Sequence, residues 1–383
     1  MTMGQLDRVS SAFRTNTGRQ PTGMWAAPGR VNLIGDHTDY NEGFVLPLAI
    51  DRHVVVAVRR RDDDLVRAWS LQFDDRASFT LSQVNEHDRP QGWAAYIAGT
   101  AWALLGDGVK IGGFDLVLDG AVAVGSGLAS SAAVECATAL ALAELHGSPL
   151  DRPALALAAR RGEAEIAGVP VGIMDQMAAM CCREGTALFL DTRTLSVEHV
   201  PLDLARASLA LLVIDVRSPH RLVEGEYANR RADCEIASRL LGIRALRDAG
   251  MTDIEHGSLE PRLRRRARHV VSENQRVLDV VSLLRQRRHV DVGALLTASH
   301  ASLRDDYEVS SPELDTAVDA ALGAGALGAR MTGAGFGGCA IALVTADRAT
   351  DVHRSVLRRF ASLAYREPEV FRVAASDAAH RVA

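Results

Sequence analysis

The feature that most constrains the fold of this chain is a glycine-rich segment between an apolar strand and a long helix. From Ala121 the sequence runs Ala-Val-Ala-Val-Gly-Ser-Gly-Leu-Ala-Ser-Ser, and an alanine- and leucine-rich helix is predicted from there to about His146. A helix that begins directly after such a loop offers unpaired N–H groups and the positive end of its dipole to an anion. A capped helix after a tight turn needs the same residue types, so both interpretations stay open on this segment alone.

The basic residues restrict the phosphate chemistry that this loop could support. The chain has 43 basic residues, and Lys110 is its single lysine. A P-loop needs a lysine directly after its glycines, and a protein kinase needs a strand lysine against the phosphates. Lys110 lies in neither context. A bound phosphate would therefore depend on Mg²⁺, the helix terminus and arginine.

Carboxylates that could hold Mg²⁺ follow the glycine-rich segment. Mg²⁺ favours one or two carboxylates together with hydroxyl and phosphate oxygens. Glu163 and Glu165 lie on the next predicted helix, where simple exposure would explain them equally well. Asp175 differs because Ile173, Met174 and Met177 surround it, and a solvated surface position fits it poorly.

Two further segments combine glycine with polar residues. Gly333, Gly335 and Gly338 match G-x-G-x-x-G, but a strand follows them instead of the helix that a dinucleotide-binding fingerprint requires. The segment from Ala27 to Gly43 is interpreted as a glycine-punctuated loop that brings two acids, a histidine and an arginine together. It could equally be a solvated surface turn.

Composition sets the class of protein. With 383 residues the chain is long enough for roughly two domains. A net charge of -5 gives no general attraction to nucleic acid or to an anionic membrane, and neither is expected as a partner. No apolar run has the length of a membrane span, and the first residues lack signal-peptide features. The five cysteines form no C-x-x-C pair, which indicates free thiols and a cytoplasmic protein.

Strands and helices are predicted without strict alternation, which favours an α+β or mixed α/β fold over a doubly wound sheet. Helices are predicted over residues 1–22, 93–105, 130–146, 153–166, 227–241, 262–288, 292–301 and 312–322, and one more is predicted to begin near residue 174. The helices at 292–301 and 312–322 are predicted to complete the helical run. Strands are predicted over residues 53–58, 66–70, 77–81, 114–118, 187–190 and 208–215, and after the glycines at 333–338. The absence of a flexible linker predicts two closely packed domains, residues 1–205 and 206–383.

Three motifs resemble those of the GHMP small-molecule kinases; in chain order they are the segment after Ala27, the glycine-rich segment after Ala121 and the glycines at 333–338. The segment from Gly29 to Asn41 resembles the galactokinase signature in particular. Residues 266–273 and 299–310 are also galactokinase-like, so the resemblance covers nearly the whole chain. It implies a two-domain fold with the active site in the cleft between the domains. The implied reaction is ATP-dependent phosphorylation of α-D-galactose at its anomeric hydroxyl. A monomer is expected.

The resemblance also implies roles for individual residues. Asp175 would be the base for the sugar hydroxyl, and Arg30 would stabilise charge on the phosphate. The sugar would be held by Asp36, His37, Thr38, Asp39, Gly172 and Tyr227. The ATP phosphates would be wrapped by Gly125, Ser126, Gly127, Leu128, Ala129, Ser130 and Ser131. Mg²⁺ would be held by Ser131 and Glu163, and the glycines at 333–338 would close the cleft.

This chain departs from the family pattern at three positions. Asp36 stands where the family usually has glutamate, Ala123 replaces a proline, and Ala129 replaces the first serine of the loop. The shorter Asp36 leaves open a related sugar, such as N-acetylgalactosamine or arabinose. A sugar-sensing regulator without catalysis is a further alternative, although such sensors have a shortened phosphate loop and Ser130-Ser131-Ala132-Ala133 is complete here.

Overall fold

The computed structural model of the protein describes residues 2–84, 89–218 and 223–383. The helices are α1 Met3–Thr17, α2 Trp93–Gly106, α3 Ser130–Leu145, α4 Arg152–Gly162, α5 Met174–Cys181, α6 Val223–Leu241, α7 Met251–His256, α8 Pro261–Arg285, α9 Val292–Ser302, α10 Pro312–Gly323 and α11 Ala349–Ser362. The strands are β1 Gly23–Asn32, β2 Phe44–Val45, β3 Pro47–Arg60, β4 Leu65–Ser70, β5 Asp75–Thr80, β6 Phe114–Gly120, β7 Thr186–Asp191, β8 Ser196–Pro201, β9 Leu209–Asp215, β10 Gly328–Thr332, β11 Cys339–Thr345, β12 Glu369–Val373 and β13 His380–Arg381.

The largest sheet of the described residues has the strand order β13-β1-β3-β6-β4-β5. Its pairs are antiparallel except for β4 with β6, and α3 packs against β1 and β3. The β1–β3 register shifts between Pro28 and Arg30, which is where the strand approaches the phosphate-loop candidate. On the opposite face, Val9 and Phe13 of α1 pack against Val55. Burial of both faces explains why β1 is apolar along most of its length.

A second sheet has the order β10-β11-β9-β12 and joins the first half of the chain, meaning the residues up to 205, to the second half, meaning those from 206. Successive side chains of a strand point to opposite faces. Leu211 and Val213 of β9 accordingly belong to the same core as the first sheet, whereas Leu212 and Ile214 belong to a second core with α10 and α11. One buried strand therefore serves two cores. A third sheet, β2-β7-β8, lies beside α8.

The mixed α/β fold is confirmed, and several predicted elements need correction. The segment after Ala27 is not a loop throughout, because its first residues belong to β1. The helix predicted to reach Ile166 ends at Gly162 and continues as a π turn over Glu163–Ala167. The helical run does not end with α10, since α11 follows. Of the residues in predicted helices and strands, Met1 lies outside the described residues and all others lie within them.

The division at residues 205 and 206 remains a prediction. The strand β13, at the carboxyl end of the sequence, pairs with β1 in the first sheet, where Trp25 lies opposite Arg381. The described residues contain no helix long and apolar enough to cross a membrane.

Candidate active site

A cavity of about 160 Å³ lies where the two halves meet. Its lining includes six residues that the sequence predicted for the active site: Arg30, His37, Asp39, Gly172, Asp175 and Tyr227. The rest of the lining consists of Val169, Pro170, Val171, Met174, Gly333 and Ala334. Because its residues come from both halves, the cavity depends on their packing against each other.

An arginine–aspartate pair forms one wall of the cavity. Arg30 reaches it from β1, and Asp175 lies in the first turn of α5, where the helix dipole favours a carboxylate. Arg30 donates from Nε to Oδ1 and from Nη2 to Oδ2 of Asp175, both at 2.9 Å. Two parallel bonds fix the guanidinium and the carboxylate in one plane. Arg30 is 5% exposed, whereas the Asp175 side chain is 27% exposed and faces the cavity.

Arg30 also connects this pair to the predicted phosphate loop. Its guanidinium donates to the carbonyl of Gly127, and its backbone N–H donates to the carbonyl of Leu128 at 3.0 Å. Gly125 and Gly127 have φ angles of 71° and 77°, in the left-handed region that favours glycine. The loop and the arginine therefore hold each other in position.

The helix after this loop begins without a capping side chain. Helix α3 starts at Ser130, and its N-cap residue is Ala129, which has a φ of 61° and makes no side-chain hydrogen bond to the first turn. The predicted helix start is confirmed. Ser126 donates instead to the carbonyl of Ala123 at 2.8 Å. The first N–H groups of α3 are thus left for an external acceptor, as an anion site requires.

The two predicted Mg²⁺ ligands lie together. Ser131 donates its hydroxyl to Glu163, which is 3% exposed. Burial, and then the charge of Asp175, raise the pKa of Glu163 to about 7. Gln176 donates to Glu163 at 2.7 Å and to the buried Glu135 at 3.0 Å. A cation beside Ser131 and Glu163 would offset this concentration of carboxylates.

Within residues 2–84, 89–218 and 223–383, no group of three or more His, Cys, Asp or Glu side chains is arranged to hold a metal ion by itself. A hydroxyl and one carboxylate suit an ion that takes its other ligands from phosphate and water, as Mg²⁺ usually does. The oxygen donors of Ser131 and Glu163 therefore fit Mg²⁺ bound together with a nucleotide.

Another part of the cavity lining is formed by residues that the sequence predicted to hold the sugar. Asp39 accepts the backbone N–H of Tyr40 at 2.9 Å and that of Met174. Burial, and then the charge of Asp175, raise the pKa of Asp39 to about 6. A Cβ atom on Gly172 would lie 1.6 Å from Oδ2 of Asp39, so only glycine leaves room for this carboxylate.

Two predicted sugar-binding residues do not appear in the lining of the cavity. Asp36 is 1% exposed; its carboxylate accepts from the guanidinium of Arg330 and from the N–H of Gly333, the latter at 3.1 Å. Burial raises the pKa of Asp36, and Arg330 opposes that shift. Thr38 is fully buried and donates to the carbonyls of Gly35 and Phe44. Both residues stabilise the segment after Asn32 through hydrogen bonds within the protein.

Sequence reasoning missed three buried polar residues around the site. Arg330 is fully buried beside Asp36, and Glu135 and Gln176 surround Glu163. Two of them carried a usable signal: an arginine within an apolar strand, and an acid (Glu135) surrounded by apolar residues in the middle of an alanine-rich helix. Both are unusual, because an isolated buried charge is costly. Gln176 carried no such signal. The apolar lining at 169–171 gave none either.

Comparison with known proteins identifies the class of protein first. The model of the GHMP kinases N terminal domain matches residues 95–183, and that of the GHMP kinases C terminal domain matches residues 280–362. The mevalonate kinase of Methanococcus jannaschii shares the fold at a TM-score of 0.67, with 17% identity over 92% of this chain and 98% of that one. The chain has the fold of the GHMP kinases.

More specific matches identify the family. The galactokinase galactose-binding signature matches residues 11–60. Galactokinase from Streptomyces coelicolor is 47% identical over 98% of both chains, and that from Chloroflexus aurantiacus is 46% identical over 90% of both. The crystal structure of Lactococcus lactis galactokinase complexed with galactose superposes with a TM-score of 0.94, at 32% identity, covering 98% of this chain and all of that one. The chain belongs to the galactokinase family.

Proposed function

We propose that this protein transfers the γ-phosphoryl group of ATP to the anomeric hydroxyl of α-D-galactose, giving galactose 1-phosphate and ADP. The pair of Arg30 and Asp175 carries this proposal, because it lies in the cavity between the predicted sugar-binding residues and the phosphate loop. Membership of the galactokinase family and the galactose complex of the Lactococcus lactis relative support the choice of sugar.

Phosphoryl transfer depends mainly on positioning and on stabilisation of charge. Asp175 would accept the proton of the anomeric hydroxyl, or orient that hydroxyl toward the γ-phosphate. The hydroxyl oxygen would attack the γ-phosphorus while the bond from this phosphorus to the bridging oxygen breaks and ADP leaves. Arg30 would hold the carboxylate in place through its two bonds. It would also stabilise the negative charge that develops on the transferred phosphoryl group, since its guanidinium lies against the loop at Gly127.

The sugar would be held by His37, Asp39, Gly172 and Tyr227. Asp39 offers carboxylate oxygens, and burial gives its hydrogen bonds to sugar hydroxyls more strength than they would have in water. We assign Asp36 and Thr38 to support of this surface, because their polar atoms are already bonded within the protein. The absence of a glutamate at position 36 therefore does not by itself argue for another sugar.

The ATP phosphates would lie along residues 125–131, where the N–H groups at the start of α3 have no capping side chain. Mg²⁺ would be held by Ser131 and Glu163 together with phosphate oxygens, and when bound it would neutralise charge on the phosphates. Gln176 would keep Glu163 oriented toward this position.

An ADP-release assay over a panel of sugars tests the choice of substrate. We expect galactose to give the highest kcat/KM, and N-acetylgalactosamine and arabinose to give much lower values. A higher kcat/KM for either of these sugars would redirect the substrate assignment within the same reaction. Binding of galactose and ATP without any ADP release would instead favour the sensor.

We also propose that the enzyme is a cytoplasmic monomer. The five cysteines are free in the structure, as expected in a reducing compartment. Light scattering of the purified protein tests the oligomeric state: a mass near 41.1 kDa is expected, and twice that value would overturn the assignment.

A further inference from the structure

A chain of hydrogen bonds runs from the cavity into the second half of the molecule. At the cavity, Nε2 of His37 lies 3.1 Å from the carbonyl oxygen of Ala334. On the other side of the ring, Nδ1 lies 2.8 Å from the hydroxyl of Tyr40. That hydroxyl lies 2.8 Å from the hydroxyl of Tyr307, and Tyr307 lies 3.1 Å from Sγ of Cys234. Neither Tyr40, Tyr307 nor Cys234 lines the cavity.

Two facts together fix the direction of every bond in this chain. A carbonyl oxygen only accepts, so Nε2 of His37 must carry the hydrogen that it shares with Ala334. Burial lowers the pKa of His37 to about 3, which leaves the ring neutral and its Nδ1 without a hydrogen. Nδ1 therefore accepts from Tyr40. Tyr40 in turn accepts from Tyr307, and Tyr307 accepts from the thiol of Cys234.

The surroundings hold the His37 ring in this orientation. Its centroid lies 4.7 Å from that of Tyr307 and 5.7 Å from that of Tyr227. The backbone of His37 has a φ of 64°, an unfavourable value for a residue with a side chain, and Asn41 donates to its carbonyl at 2.9 Å. A strained backbone of this kind persists only where the surrounding contacts hold it. These contacts fix the His37 ring, so that its N–H group points in one direction.

We propose that Tyr40, Tyr307 and Cys234 are positioning residues that keep His37 in its Nε2–H tautomer, so that the cavity offers an N–H donor to a sugar hydroxyl. The part of this inference that concerns the sugar rests on the proposed function. A hydroxyl entering beside Ala334 would receive the Nε2 hydrogen in place of the carbonyl. Because Cys234 belongs to α6 and Tyr307 to the turn after α9, the second half of the molecule sets the state of a residue in the first half.

The experiment measures the tautomer directly in the sugar-free protein. Long-range ¹H–¹⁵N spectra of protein with ¹⁵N-labelled histidine distinguish the two neutral tautomers, and His37→Gln identifies the His37 signals by their loss. The wild type is expected to show a protonated Nε2 and an unprotonated Nδ1. In Tyr40→Phe, where Nδ1 has no donor, these signals are expected to move toward a mixture of tautomers.

Kinetics of the same variants separate positioning from catalysis. Tyr40→Phe is expected to raise the KM for galactose about tenfold and to change kcat less than about twofold, since one neutral hydrogen bond is removed from the ground state and the transition state alike. Cys234→Ser keeps a donor at the end of the chain and is expected to behave as the wild type, whereas Cys234→Ala is expected to show a smaller form of the Tyr40→Phe effect. Tyr365→Phe, at a ring that packs on Phe360, is the matched control and should change neither readout.

An Nδ1–H tautomer in the wild type would overturn the inference. Unchanged His37 signals and an unchanged KM in Tyr40→Phe would also overturn it. If circular dichroism shows that Tyr40→Phe does not fold, the comparison of Cys234→Ala with Cys234→Ser decides in its place, and identical tautomer signals in those two variants would count against the chain. If the wild type does not phosphorylate galactose, the proposed function fails, but the tautomer measurement still stands on its own.

Discussion

Substitution of Asp175 by asparagine removes the proposed base while keeping the shape of the side chain. General base catalysis contributes about 10²–10⁴ in rate, and the change also leaves the charge of Arg30 without its carboxylate partner. We therefore expect kcat to fall by about 10³ or more in Asp175→Asn. ATP binding, measured by titration calorimetry, is expected to stay within about threefold of the wild type, since Asp175 lies outside the phosphate loop.

The structure also sets the expected effect on stability. Arg30 keeps its bond to the carbonyl of Gly127, and the asparagine oxygen still accepts one of the two bonds, so we expect a loss of about 1–3 kcal/mol in the free energy of unfolding. Asp115→Asn is the matched control, because Arg67 donates to Asp115 at 2.7 and 2.9 Å and neither residue lines the cavity. That variant should lose stability and keep its kcat. Near-normal turnover in Asp175→Asn would refute the role of this residue.

Three further changes test the site. Gly172→Ala places a Cβ atom 1.6 Å from Oδ2 of Asp39, so the KM for galactose should rise at least about tenfold, and an unchanged KM would contradict the assignment. Burial raises the pKa of Glu163 to about 7, so protons compete with Mg²⁺ for this carboxylate below that pH. The apparent Mg²⁺ affinity should therefore weaken as pH falls from about 8 to about 6. Glu163→Gln should weaken Mg²⁺ binding and remove this pH dependence. Asp36→Asn removes the bonded carboxylate of the fully buried Arg330 and leaves it Glu273 at 4.0 Å, so chemical denaturation should show a loss of about 3 kcal/mol. A raised galactose KM with unchanged stability would instead indicate direct sugar contact.

Local sequence signals located the parts of the site that depend on local structure. The glycines at 125 and 127 and the helix after them were predictable, because a left-handed turn and a helix start leave marks within a few residues. The same type of signal marks α11, where the apolar residues Val352, Val356 and Phe360 are spaced four positions apart. A search of this segment for helical spacing would have predicted the helix. The π turn after Gly162 has no comparable signal.

Contacts between distant residues could not be obtained from local patterns. Arg30 and Asp175 are 145 positions apart, and their pairing was expected only through the family resemblance. The bond between Asp36 and Arg330 joins residues 294 positions apart, and it decides that the carboxylate of Asp36 is held within the protein. Which buried charges meet depends on the packing of the two halves, and this information is spread over the whole chain.

The most direct test of the proposed reaction is ³¹P NMR of the products formed from galactose and MgATP. The proposed function requires a sugar 1-phosphate signal, split by the anomeric proton, that grows as the γ-phosphate signal of ATP declines and ADP appears. The same signal should be nearly absent with Asp175→Asn. A phosphate on another carbon of the sugar, or ADP with inorganic phosphate alone, would contradict the assignment of this cavity as a galactose 1-kinase site.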